Sequence, residues 1–108
     1  MSVIEFAKDY KKLHCPVGGI FTTIRRDDYE NEHLYQNSDG EVFQVKVEGK
    51  IAFKARLLYC DTFADGLGDN FSVGLLEYDS DGDVESLYAR YQSDGVLLLI
   101  LQKMGESE

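Results

Sequence analysis

The sequence predicts a single α+β domain, and three observations carry that prediction. Glu41 to Val47 alternates, with Val42, Gln44 and Lys46 on one side and Phe43, Val45 and Val47 on the other. It leads through Glu48-Gly49-Lys50 into a second β-rich stretch, Ile51 to Cys60, which is the pattern of a hairpin. Val84, Leu87, Tyr88 and Tyr91 recur at helical spacing, whereas Val96 to Leu101 is continuously apolar and reads as a buried strand. The 108 residues, 44% of them hydrophobic, suffice for one core. The domain is expected over residues 1–104, with 105–108 as a frayed tail.

In chain order, Ser2 and Glu5 have capping-box spacing and precede Val3, Phe6, Ala7, Tyr10 and Leu13, which predicts an N-terminal helix. Lys8, Lys11 and Lys12 fall toward its C-terminal end, where positive charge suits the dipole, and Pro16 with Gly18-Gly19 stops it. Ile20 to Arg26 is rich in β-formers and predicts a strand. Asp27 to Gly40 is polar, ends in Asn37-Ser38-Asp39-Gly40, and reads as an exposed loop. Asp61 to Asn70 reads as irregular and Ser72 to Tyr78 as a short helix. A second helix is expected from about Asp83 to Gln92, ended by Ser93-Asp94-Gly95. The final strand runs from Val96 to Lys103.

The formal charge of −9 disfavours broad binding to phosphate backbones, because an acidic body repels them at long range. It leaves room for a small basic pocket. No apolar run approaches the roughly 20 residues that span a bilayer. The start, Met1-Ser2-Val3-Ile4-Glu5, has an acid where a signal peptide is basic, so the cytoplasm is the expected compartment. Cys15 and Cys60 read as buried thiols, and with His14 and His33 they lack the paired spacing of zinc ligands. Asp79-Ser80-Asp81-Gly82-Asp83 has its glycine too early for a calcium loop and reads better as a turn with an acidic helix cap. No cofactor or metal is expected.

Several segments, in order, resemble the ASCH domains of the PUA-like superfamily. Gly18 and Arg25 take the positions of that family's glycine and arginine, with Thr22-Thr23-Ile24 between them. Gly40-Glu41-Val42-Phe43-Gln44-Val45 resembles the start of its second strand, and Ile51 to Leu57 the strand that follows. Ser86 to Tyr91 and Val96 to Met104 resemble its closing helix and strand. The resemblance, from about Val17 to Met104, implies a small mixed β-barrel of about five to six strands with two to three flanking helices. The small acetylcytidine amidohydrolases of that family use a lysine, a threonine and a glutamate. Thr23 stands at the threonine position and Glu77 near the glutamate, with a one-residue gap, but Ile20 stands at the lysine. An isoleucine neither transfers a proton nor attacks a carbonyl. Lys54 is the one other lysine that this reading brings toward the site.

Strand alternation puts Thr23 and Arg25 on one face, with Thr22, Ile24 and Arg26 on the other. A threonine hydroxyl beside a guanidinium suits a phosphate, a carboxylate or a polar base edge, and Glu77 offers an acceptor for an exocyclic amine. Phe21, Tyr29, Tyr35 and Tyr59 are candidates for a stacking wall. The expected ligand-binding set is therefore Thr23, Arg25, Arg26 and Glu77, with Thr23 and Glu77 as candidate catalytic groups. Beside these stand plainer readings: threonines as β-formers, Arg25 paired with Asp27, Asp28 or Glu30, and tyrosines as packing. Three functions stay open: a module binding RNA or a modified nucleoside or nucleotide, an amidohydrolase with altered residues, and an acidic protein-interaction domain.

Overall fold

Ile4 decides the first element. It stands off the expected helical face, yet it is fully buried, as is Phe6 two residues on, while Glu5 between them is exposed. That is the period of a strand, and in the computed structural model, which describes residues 2–91 and 95–105, Ser2–Phe6 is strand β1. It pairs parallel with β3 (Val42–Val47), in register Ile4 with Val45 and Phe6 with Val47. The expected N-terminal helix is thus corrected: sheet pairing that buries two large side chains prevails over local capping chemistry. Only a 3₁₀ turn, Lys11–His14, follows.

The strand expected at Ile20–Arg26 is present as β2. The hairpin is present too, with β4 (Lys50–Phe63) running 14 residues, beyond the expected end at Cys60. Glu48 and Gly49 both have positive φ, 51° and 82°, as a tight two-residue hairpin turn requires. The final strand, β5 (Val96–Met104), lies between β4 and β2 and is antiparallel to both. The sheet order is β1-β3-β4-β5-β2, five strands curled into a half-barrel.

Asp27 to Gly40 is not all loop. Tyr29–Tyr35 is helix α1, because the Asp28 carboxylate accepts a hydrogen bond from the Asn31 amide and Tyr35 is drawn into the core against Phe43. Helix α2 (Val73–Ser80) is capped by Ser72, and α3 (Val84–Arg90) by Asp83, the acidic cap expected of that turn. The stretch from Gln92 to Asp94 and the tail 106–108 lie outside the described residues.

Two apolar clusters follow from the sheet's two faces. Ile4, Phe6, Phe21, Phe43, Val45, Leu57, Leu99 and Leu101 belong to the cluster inside the curl. Ile24, Leu76, Leu87, Tyr91 and Val96 fill the space between the outer face and helices α2 and α3. Thus β2 presents Phe21 to one core and Ile24 to the other, the alternation read from its sequence. Cys15 and Cys60 are free, and burial pushes the Cys60 thiol up to about 11. No described helix is long and apolar enough to cross a membrane.

Candidate functional site

The edge strands β1 and β2 do not pair with each other, yet they face one another across the open side of the curl. Phe6 of β1 lies 6.5 Å from Phe21 of β2, ring to ring, and the Arg25 guanidinium sits 4.8 Å above the Phe6 ring. Beyond these contacts a cavity of about 300 Å³ opens, with β1, β2 and the α2–α3 pair as its walls. That size is at the low end for small-ligand sites.

Thr23 and Arg25 both line the cavity, side by side on one face of β2. Thr23 is buried, and Arg25 is half-buried, with its Nε shielded from solvent and bonded to no described residue. The acid expected beside them, Glu77, is exposed and lies outside the lining. Two residues along a helix turn through roughly 200°, so Asp79 faces inward where Glu77 faces out. Arg26 also lies outside the cavity, on the opposite face, where its Nη2 donates to the Arg90 carbonyl at 3.2 Å. No ion pair joins Arg25 to Asp27, Asp28 or Glu30 among the described residues.

Asp79 is held by groups that sequence reasoning did not bring to the site. Lys12 Nζ donates to it at 2.6 Å, both side chains almost wholly buried. The Ile24 backbone amide faces Asp79, and the Tyr91 hydroxyl donates to the Ile24 carbonyl at 3.0 Å. Side chains thereby occupy the polar edge that β2 turns away from β5, a common way of blunting an edge strand. Burial pulls Lys12 below the usual ammonium value and raises Asp79 above the usual carboxylate value; their mutual contact opposes both shifts. Lys12 also lies over the rings of Phe6 and Tyr10, at 5.5 and 5.2 Å.

The segment carrying Lys12 is anchored from outside. Asp81, the left-handed C-cap of α2, accepts from the Lys11 amide through both oxygens at 3.1 Å and approaches Lys8 at 3.9 Å. Arg90 completes the rim, beside the side chains of Tyr10 and Tyr91. Lys8, Lys12, Arg25 and Arg90 thus face Glu5, Asp79 and Asp83 in the lining: a local excess of one positive charge on a chain of −9.

The expected stacking wall is not there. Phe21 and Tyr35 are core residues; Tyr29 is exposed and stacks on His33, and Tyr59 is exposed on β4. The rings that line the cavity are Phe6, Tyr10 and Tyr91. Ile20, at the family's lysine position, is 56% exposed at the start of β2, and neither it nor Lys54 reaches the cavity. A second hollow, at Tyr29, Glu32, His33, Gln36 and Asn37, contains Tyr29 of the expected stacking wall but none of Thr23, Arg25, Arg26 and Glu77. Among the described residues no cluster of histidine, cysteine and acid side chains suits a metal ion. Compared with known proteins, the chain matches no family model, no curated protein and no solved structure.

Proposed function

We propose that this chain is a PUA-like, ASCH-type binding module that takes up a nucleoside or nucleotide, free or at an RNA end, in the cavity between β1 and β2. The observation that carries the proposal is the meeting of Thr23 and Arg25 with Phe6, Tyr10 and Tyr91 in one locally cationic cavity. A hydroxyl and a guanidinium supply directional polar contacts, and the rings supply apolar area for a base. The small volume favours a single nucleoside unit over a long strand, and the acidic remainder of the surface disfavours duplex binding. An NMR titration of labelled protein with nucleosides, nucleoside monophosphates and short single-stranded RNAs tests it. Shifts centred on Thr23, Arg25 and Tyr91 are the expected result. An unchanged spectrum with every ligand removes the reading and turns the search to basic protein partners.

One observation favours a second reading, an amidohydrolase acting on a modified nucleobase such as acetylcytidine. Lys12, not Lys54, brings an ammonium into the same cavity as Thr23 and Asp79. The lowered proton affinity of Lys12 is in the direction a general base needs. Acetate appearing during the acetylcytidine titration, and absent with Lys12→Met, selects this reading over simple binding.

A further inference from the structure

Every cation of the cavity except one has a polar partner among the described residues. Lys12 is paired with Asp79, Lys8 approaches Asp81, and Arg90 has the side chains of Tyr10 and Tyr91 beside it. Arg25 is the exception. Its guanidinium carbon lies over Phe6, 4.8 Å from the ring centroid, its Nε is buried without a partner, and no described carboxylate is in salt-bridge range. The cation–π contact offsets part of the desolvation of the charge but gives its N–H donors no acceptor. A half-buried guanidinium with unmet donors, facing a cavity, is complementary to a planar or tetrahedral oxyanion.

We propose that the ligand of this site carries a phosphate monoester and that Arg25 is the residue that holds it. The inference rests on the nucleotide-binding reading and narrows it from nucleosides in general to phosphorylated ones. Thr23 is the neighbouring donor on the same face of β2. Lys12 and Arg90 add positive potential from the facing walls, with Lys12 held in place by Asp79. Asp79 sets the limit on this attraction. Its pairing with Lys12 offsets its charge, while Glu5 and Asp83 are the exposed carboxylates of the same lining. The phosphate has two possible sources, a free mononucleotide or the 5′ end of an RNA strand, and the chemistry at Arg25 is the same for both.

Isothermal titration with the four nucleoside 5′-monophosphates, their parent nucleosides, inorganic phosphate, and a short RNA with and without a 5′-phosphate tests the proposal. The expected result is at least one monophosphate binding about tenfold or more tighter than its nucleoside, with the advantage abolished in Arg25→Gln and partly kept in Arg25→Lys, which retains charge but not the fork. Equal affinity for nucleoside and monophosphate overturns the phosphate assignment and leaves nucleoside binding standing. Inorganic phosphate matching the nucleotides supports Arg25 as an anion site and overturns the nucleobase reading beneath it. A preference for the phosphorylated RNA over the mononucleotide assigns the source to RNA ends, and the reverse to free nucleotides. Binding to none of these overturns both. Thermal melts of Arg25→Gln keep a folding defect apart from a binding defect: a folded variant with unchanged phosphate preference also overturns the assignment.

Discussion

Lys12 and Asp79 form a buried ion pair whose partners depend on one another. Breaking a buried pair from one side leaves a charge with no solvent and no counter-ion, which costs about 3–5 kcal/mol. Lys12→Met is therefore expected to lower the urea midpoint strongly. Lys12→Met with Asp79→Asn removes both charges and keeps a polar group facing the Ile24 amide, so it is expected to recover most of the loss. A double variant no more stable than the single one rules out the stranded charge as the cause. The pair was not legible in the sequence, because the expected N-terminal helix placed Lys12 with Lys8 and Lys11 toward its C-terminal end, as complements to the dipole. Thr23 and Arg25 were legible, since strand alternation depends only on their spacing of two. Glu77 was misplaced for an equally local reason: a two-residue offset on a helix, unlike that on a strand, reverses the direction of the side chain.

At the scale of elements, the turn before β2 aims Thr23 and Arg25 into the cavity. Gly18 donates to the Lys103 carbonyl and Gly19 to that of Pro16, both at 2.8 Å, so the chain leaves the turn already in register with β5. A Cβ on Gly19 would lie 2.8 Å from the Pro16 carbonyl oxygen and 3.1 Å from Cys15 Cβ. Since the first of these is backbone, relief requires the turn itself to move. Gly19→Ala is expected to cost about 1–3 kcal/mol, and amide exchange should quicken first at the start of β2; a melt within a degree of the parent protein contradicts this. The sequence showed the hairpin and the last strand because their period-two and all-apolar patterns are strong and local. It hid β1, whose partner is about 40 residues away, and α1, whose only apolar anchor to the core is the pair Leu34 and Tyr35.

For the whole molecule, pH acts through burial. Burial raises Cys60 from 9.0 to about 11, and it raises Tyr35 and Tyr91 above their usual phenol value of 10.0. In the folded state these groups hold their protons to higher pH than in the unfolded chain. Their contribution to stability is complete below the unfolded values and is lost as pH climbs through the folded ones. Lys12 acts in the opposite sense, because its folded value is lowered. With Tyr78, which burial also raises, four groups against one predict a melting temperature that falls from pH 9 to pH 11, and Cys60→Ala should flatten the first part of that fall. A melting temperature that is level or rising across the window contradicts it.

The half-barrel has a mechanical consequence as well. β1 is held by one neighbouring strand only, so a pull on the N-terminus loads a single row of hydrogen bonds. A ligand taken up as proposed would touch both Phe6 on β1 and Arg25 on β2 from the cavity side and act as a clasp, carrying part of that load directly to β2 at the far end of the sheet. Occupancy of a small cavity thereby stiffens the chain where its own strands leave it open.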